Sequence, residues 1–152
     1  MSIINVRQAV FSDLEAIADL FNQYRVFQGK ASDLPAAAAF LQARFDHGES
    51  VVFLASEAAN PVGFAQLYPI YSSTALARVF ILNDLYVHER GRRKGVGSQL
   101  LSAVESYAWS QGAARVTLNV AIENTTGQAL YEAQGWRKDS QFFMYHRFPT
   151  GS

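Results

Sequence analysis

An apolar strand that runs straight into a glycine-rich basic turn, and from there into a helix, constrains this fold more than any other feature. The strand is predicted over residues 78–87, and the turn reads Arg92-x-x-Gly95-x-Gly97. A second strand pattern follows the helix at residues 115–121. Because β-α-β crossovers are right-handed, these two strands should be parallel neighbours. Ligands of such sheets bind beyond the carboxyl ends of the strands, where the basic turn begins.

Hydrophobic periodicity along the rest of the chain predicts a mixed α/β (α+β) fold. The predicted order is β-α-α-β-β-β-α-β-α-β, with helices on both faces of a mixed sheet. Strands are expected at residues 3–6, 51–56, 62–68, 78–87, 115–121 and 141–148. Helices are expected from the capping box at Ser12 through an apolar repeat ending at Tyr24, from Ser32 or Asp33 to Gly48, and at about 96–111 and 124–134.

Length and composition predict a single domain over residues 1–152. Hydrophobic residues make up 49% of the chain, which argues against disorder. The absence of cysteine excludes a disulfide framework, a thiolate metal site and a cysteine nucleophile. A formal net charge of +0 argues against a nucleic-acid partner. No apolar run approaches the ~18–20 residues of a membrane helix, and no signal peptide is evident. We therefore expect a cytoplasmic protein that binds no membrane.

The basic turn is suited to an anion, because the first N–H groups of a helix have no partner and the helix dipole adds positive charge. Four of the 13 cations lie in it, at Arg90, Arg92, Arg93 and Lys94. Neither the Walker loop nor the dinucleotide fingerprint fits, since no lysine precedes Ser98 and the third glycine is missing. On this basis alone, a phosphate site and a plain helix cap both remain open.

A second motif lies downstream, where Asn124 is followed by Tyr131 and then by Gly135-Trp136. Together the two motifs resemble those of the GNAT superfamily of acetyl-coenzyme A–dependent N-acetyltransferases. The resemblance implies acetyl-coenzyme A as acyl donor. The histidines at 47, 88 and 146 have no metal-ligand spacing, so no metal is expected. Two departures are Trp136 for the usual phenylalanine and Gly127 for the usual alanine. Gly127 is expected to loosen the first turn of its helix by up to about 1 kcal/mol.

The resemblance also implies which residues hold the donor. In the family, a bulge in the strand before the basic turn splays it from its parallel neighbour, and the gap admits the pantetheine arm. The pyrophosphate lies on the turn. The implied coenzyme-binding residues are Leu85, Tyr86, Val87, Arg92, Arg93, Lys94, Gly95, Val96, Gly97, Ser98, Asn124 and Tyr131.

Two residues are predicted to be catalytic. Tyr131 would protonate the leaving thiolate, since a phenol with a pKa of ~10 can donate to a thiolate; otherwise it is a tyrosine that caps the core. Asp84 would accept the amine's proton, or would only bind a substrate charge. A main-chain N–H between Leu85 and Val87 would stabilise the oxyanion. We interpret Glu123 as solvated, Asn119 as able only to orient water, and His88 as a surface residue.

The acceptor pocket is predicted near the first helix and the turn after residue 68, with Tyr24, Phe27, Tyr68, Tyr71 and Asp84 as candidates. Their aromatic rings would suit a small amine, such as an amino acid or a polyamine. A protein or peptide N-acetyltransferase and a non-catalytic acyl-coenzyme A-binding module are the alternatives. The aromatic segment 141–148 is too apolar for an exposed edge, so it should pair within the sheet or in a homodimer.

Overall fold

The computed structural model of the chain describes residues 3–151. Five strands and four α-helices form over these residues. The strands are β1 (Ile4–Gln8), β2 (Val51–Glu57), β3 (Asn60–Ser72), β4 (Ala77–Val87) and β5 (Arg115–Thr117). The helices are α1 (Leu14–Phe27), α2 (Leu34–Asp46), α3 (Val96–Ser110) and α4 (Thr125–Ala133). Single 3-10 turns precede α1 and follow β4.

The sheet has the strand order β1-β2-β3-β4-β5. The first four strands are antiparallel to their neighbours, and β5 runs parallel to β4, as the crossover rule predicts. Helices α1 and α2 bury their apolar residues on one face of the sheet, around Ile17, Leu41 and Phe64. Helix α3 packs on the other face, with Leu100 and Val104 in its core. The predicted fold class, with helices on both faces of a mixed sheet, is confirmed.

The sheet splits beside its parallel pair. Strand β5 pairs with β4 only from Val79 to Ile81. Just beyond, the pairing of β3 with β4 shifts register, so that Asn83 is an extra residue in β4 with no partner opposite. A bulge of this kind bends its strand and raises the local twist. The two strands therefore diverge, as the resemblance implied.

Two strand predictions at the C-terminal end are wrong: one strand is shorter than expected, and the other does not form. The strand expected over residues 115–121 pairs only as far as Thr117, because β4 bends away at the bulge. The strand expected over 141–148 does not form within the chain, and its aromatic side chains are exposed. Within residues 3–151, no main-chain hydrogen bond joins residues 137–151 to the sheet. No helix in the described range is long and apolar enough to span a membrane.

Candidate active site

A cleft of about 140 Å³ lies where β4 and β5 separate. Strand β4 contributes Leu82, Asn83 and Leu85 to its walls, and the chain leaving β5 contributes residues 118–121. Its remaining walls come from the helices and the loop before α4, with Tyr24, Gln28, Asn124 and Tyr131. The cleft thus opens through the sheet and is reached by side chains from both faces.

The main chain of β4 presents alternate residues to this gap. The N–H of His88 donates to the carbonyl oxygen of Val62 on β3, which places residues 84, 86 and 88 in the hydrogen-bonded pairs of that ladder. Leu85 and Val87 therefore turn their N–H and C=O groups toward β5, where no strand pairs with them. Tyr86 was predicted to bind coenzyme through this edge, but its main chain faces β3. The Nε of Arg92 donates to the Val87 carbonyl oxygen at 3.0 Å, so Leu85 keeps the freer edge.

The turn after β4 carries a row of N–H groups with no protein acceptor. Over the described residues, the N–H groups of residues 93–98 donate no hydrogen bond. Arg93 and Gly95 both adopt left-handed backbone, with φ of 62° and 77°. Left-handed residues within a turn direct neighbouring N–H groups to one side, a feature of main-chain anion sites. The start of α3 therefore offers unpaired main-chain donors at the turn where a phosphate site was predicted.

The basic side chains of the turn are mostly engaged with the protein itself. Arg90 donates to the Pro61 carbonyl oxygen at 2.6 Å, and Lys94 pairs with Glu57 at 2.8 Å. Arg92 bonds Val87 and lies 5.8 Å from the ring centre of Phe27. Arg93 has no hydrogen-bond or ion-pair partner among residues 3–151. The structure thus leaves the main chain and Arg93 as the groups free to meet phosphate oxygens.

Helix α4 is brought close to the start of α3. A Cβ on Gly97 would lie 3.1 Å from Leu130 of α4, so this glycine permits the approach. Ser98 accepts a hydrogen bond from Gln134 at 3.2 Å across the same contact. The two helices therefore form one unit at the edge of the cleft.

Asn124 caps α4 and also lines the cleft. Its side-chain oxygen accepts from the N–H of Gly127 at 2.9 Å, which leaves its amide nitrogen for a ligand. A Cβ on Gly127 would lie 2.7 Å from that nitrogen. Gly127, expected only to loosen the helix, thus makes room for the cap. Tyr131 lies seven residues after Asn124, about two turns along α4, and burial raises the pKa of its hydroxyl.

Asp84 is buried behind the cleft in a group of polar side chains. Gln66 donates to one carboxylate oxygen at 2.8 Å, and Asn83 lies 3.2 Å from both. Burial raises the pKa of Asp84, and the donors Gln66, Asn83 and Tyr24 partly offset that rise. Tyr24 neighbours the carboxylate and also lines the cleft. Burial and the nearby Asp84 raise the pKa of the Tyr24 hydroxyl, so it stays protonated.

The other predicted aromatic residues differ in position. Phe27 is exposed above the turn, with its ring centre 6.4 Å from that of Tyr86. Burial raises the pKa of Tyr68 to about 12, and the charge of Asp84 adds to the rise. Tyr71 is largely exposed near the far end of the β3–β4 hairpin, where Arg78 donates to its hydroxyl at 3.0 Å. It does not line the cleft.

Several further residues matter to the site. Sequence reasoning missed Gln66 and Asn83, although a polar residue inside the apolar run of β3 was a signal for Gln66. Asn119 lines the cleft, as its position on the neighbouring strand predicted. His88 accepts from the N–H of Arg90 at 3.1 Å and so shapes the turn. Glu123 is exposed, and residues 3–151 contain no cluster that could hold a metal.

Free amides at a helix start suit a diphosphate, and a strand edge opened by a bulge suits an extended chain of amides. The fold and cleft therefore define an acyltransferase of the class that takes its acyl group from a coenzyme A thioester. The sequence model described as the acetyltransferase (GNAT) family matches residues 14–136. The chain belongs to this family and is an N-acetyltransferase, which confirms the resemblance.

Two curated relatives and one solved structure are similar over most of the chain. The uncharacterized N-acetyltransferase YhfO of Bacillus subtilis is 48% identical, covering 93% of this chain and 95% of its own. The D-amino-acid N-acetyltransferase HPA3 of Saccharomyces cerevisiae is 32% identical, covering 86% and 83%. A crystal structure of a probable acetyltransferase superposes with a TM-score of 0.89 at 37% identity, covering 97% and 99%.

Proposed function

We propose that the chain transfers an acetyl group from acetyl-coenzyme A to the primary amine of a small molecule by direct attack. The observation that carries the proposal is a buried carboxylate, Asp84, beside Tyr24 and next to the bulge where the sheet splits. Asp84 supplies a proton acceptor on one side of the gap. Tyr131 supplies a proton donor on the other.

The residues present fit the donor. The N–H groups of residues 93–98 and the side chain of Arg93 would hold its diphosphate. The main chain of Leu85 would pair with the amides of the pantetheine arm, and Asn124 would hold the arm from the far side. Acetyl-coenzyme A, when bound, supplies a thioester carbonyl that an amine can attack.

The main-chain edge of β4 also supports the reaction electrostatically. The amine nitrogen forms a bond to the thioester carbon, and the C–S bond breaks. The carbonyl oxygen gains charge on the way, and the N–H of Leu85 faces the gap where that charge develops. A fixed donor of this kind accelerates acyl transfer by about 100–1,000-fold in other enzymes.

The reaction removes one proton from the amine and delivers another to the leaving thiolate. The amine gives one proton toward Asp84, through the Tyr24 hydroxyl or a water beside it, because the carboxylate itself is only 5% exposed. The leaving thiolate takes the Tyr131 proton. Burial raises the pKa of both the carboxyl and the phenol, so Asp84 is a stronger base and Tyr131 remains protonated until the thiolate forms.

A small acceptor fits the size and chemistry of the cleft. The cleft holds only about 140 Å³. The ring of Tyr24 lines the cleft and would contact an apolar or cationic body. The name of the yeast relative specifies D-amino acids, which are small amines. The protein acceptor is the second candidate.

An amine panel tests the function, with free thiol as the readout. We expect thiol release from acetyl-coenzyme A only when a suitable small amine is added. Asp84→Asn should lower kcat/KM by at least tenfold, and Asp19→Asn on the outer face of α1 is the matched control. Acetyl label transferred from the coenzyme to polypeptides in a lysate, but to no small amine, would favour the protein acceptor. Binding without turnover on any acceptor would favour the non-catalytic module.

We also propose a homodimer and a cytoplasmic location. A homodimer would bury the aromatic segment 141–148, which is exposed in the single chain. A cytoplasmic location would suit the use of acetyl-coenzyme A.

A further inference from the structure

The walls of the cleft are polar but carry no charged side chain among the residues that the structure describes. Four side-chain amides and two tyrosine hydroxyls supply the polar groups: Gln28, Asn83, Asn119, Asn124, Tyr24 and Tyr131. The carboxylate of Asp84 lies next to these walls, is only 5% exposed and forms no ion pair within residues 3–151. An acceptor in the cleft therefore meets amides, hydroxyls and a nearby carboxylate, and none of the described wall residues is a cation.

Two of the amides lie on the two walls where the sheet splits, because Asn83 belongs to β4 and Asn119 to the chain that leaves β5. Asn83 is the extra residue of the bulge, and its nitrogen lies 3.2 Å from both oxygens of Asp84. Asn119 is exposed, and its nitrogen has one hydrogen-bond contact, the sulfur of Met144 at 3.9 Å. The side-chain oxygens of Asn83 and Asn119 have no hydrogen-bond partner within residues 3–151, so both remain for a ligand.

The wall beside Asp84 suits the reacting amine. A protonated amine has N–H donors and no acceptor, whereas the Asn83 oxygen and the Asp84 carboxylate are both acceptors. The nitrogen of the acceptor is therefore expected on the β4 side of the cleft, within reach of the group that takes its proton. Because a cleft of about 140 Å³ holds only a small body, the opposite wall then contacts the atoms bonded to the carbon next to that nitrogen.

The group next to the amine decides how well an acceptor fits these walls. A carboxylate at this place would lie near Asp84 without a cation to balance it, and two carboxylates in one site repel each other. A carboxylate removed from water also needs a charged partner or full hydrogen bonding to offset its lost hydration. A hydroxyl has no charge and both donates and accepts hydrogen bonds, as does the amide of Asn119 whichever way it is turned. The walls therefore favour a hydroxyl over a carboxylate.

We propose that the acceptors of this cleft are vicinal amino alcohols, that Asn119 recognises their hydroxyl, and that α-amino acids are poor acceptors. The inference rests on the proposed function and names the acceptor class of the same site. In the reaction, the nitrogen forms the amide bond and the C–S bond breaks, while the hydroxyl keeps its proton and only positions the molecule. Asn119 is thus a specificity residue that contacts the acceptor and moves no proton.

Three amines with one carbon skeleton test the selection. Alaninol, isopropylamine and alanine carry a hydroxymethyl, a methyl and a carboxylate group at the same place, and alaninol and alanine are used as both enantiomers. Free-thiol release from acetyl-coenzyme A at one pH gives kcat/KM for each. The better enantiomer of alaninol should exceed the better enantiomer of alanine at least tenfold, with isopropylamine between them. Alanine used as well as alaninol, or better, would overturn the proposal.

Two substitutions of Asn119 test the residue, and its exposure makes both compatible with folding. Asn119→Leu removes the hydrogen-bonding atoms, so the preference for alaninol over isopropylamine should fall at least fivefold. Asn119→Arg supplies a cation, so kcat/KM for alanine should rise at least tenfold relative to that for alaninol. Asn5→Leu, at an exposed position on β1 at the opposite edge of the sheet, is the matched control and should keep the wild-type ratios. Wild-type ratios in both Asn119 variants would overturn the role of this residue.

Failure of this inference and failure of the proposed function give different results. Turnover of isopropylamine together with equal or greater turnover of alanine would refute the selection and leave acetyl transfer to small amines standing. If no amine on any panel releases thiol, the proposed function fails, and calorimetry on the protein loaded with coenzyme A decides the selection. Tighter binding of alaninol than of alanine would then support the selection, and equal or weaker binding would refute it.

Discussion

The side-chain amide of Gln66 is buried, and only its nitrogen makes a hydrogen bond within the described residues. The nitrogen donates to Asp84 at 2.8 Å, whereas the oxygen has no partner among the described residues. An unmet buried polar atom costs about 1–3 kcal/mol. Through its nitrogen, Gln66 stabilises the ionised form of Asp84. We regard it as a positioning residue for the carboxylate.

Removal of that donor should move the pH profile. In Gln66→Leu, the pKa of Asp84 rises further, because burial remains and a donor to the carboxylate is lost. The base is then ionised only at higher pH, so the acid limb of kcat/KM against pH shifts upward. The same profile measured for Gln99→Leu, outside the Asp84 network, serves as the control. An acid limb that stays in place in Gln66→Leu would contradict this role.

Tyr131 can be tested by the loss of one oxygen atom. Tyr131→Phe should lower kcat at least tenfold and leave the affinity for acetyl-coenzyme A nearly unchanged, because the ring remains packed against Trp136 with 6.0 Å between ring centres. Tyr107→Phe removes a hydroxyl from a tyrosine that packs against Phe53 and Phe80 in the core, and it should keep full activity. Steady-state kinetics with calorimetry measures both quantities. Full activity in Tyr131→Phe would remove this residue from the mechanism.

At the scale of elements, α3 begins with main-chain geometry and not with a capping side chain. Gly95 precedes the helix in left-handed backbone, and no side chain caps the helix start. Gly112, which follows the helix, has nearly the same φ, 72° against 77°. Neither glycine has an atom within 4 Å of where a Cβ would stand. Gly95 and Gly112 therefore have similar backbone strain and differ in which end of α3 they occupy.

Substitution of these two glycines distinguishes a loss of folding stability from a loss of coenzyme binding. Gly95→Ala and Gly112→Ala should each lower the free energy of unfolding by about 1 kcal/mol, because alanine resists left-handed backbone. Only Gly95→Ala should also weaken the binding of acetyl-coenzyme A, because it displaces the N–H groups of the turn before α3. Urea unfolding and calorimetry measure the two effects. Equal binding by both variants would argue against a main-chain cradle at this turn.

At the scale of the whole molecule, Asp84 links activity to stability. The folded protein holds the Asp84 proton more tightly than the unfolded chain does, since burial raises its pKa above the reference value. Stability should therefore fall as pH rises from the unfolded pKa through the folded one, and stay lower above it. Asp84→Asn should remove this fall and be more stable than wild type at neutral pH, while losing activity. Urea midpoints at a series of pH values check this, and parallel curves for the two proteins would contradict it.

The order of elements was predictable because each depends on local pattern, and the strand–turn–helix–strand unit has one allowed handedness. The bulge at Asn83 was not predictable from the sequence, because a bulge depends on the register between two strands. The roles of the basic residues were only partly predictable, since Lys94 pairs with Glu57, which lies far away in the sequence. The strand character of 141–148 was visible in its residues, but the segment pairs with no strand among residues 3–151.

The short ladder between β4 and β5 has a consequence for how long the folded chain lasts in a cell. Three residue pairs, ending at Ile81 and Thr117, are all that join β5 to the sheet in register, and α4 follows from it. Elements held by few main-chain bonds open first, and proteases cut chains that open. A thioester spanning the gap would fasten α4 to β4 and slow that opening. The supply of acetyl donor would then set the turnover of the protein as well as the rate of its reaction.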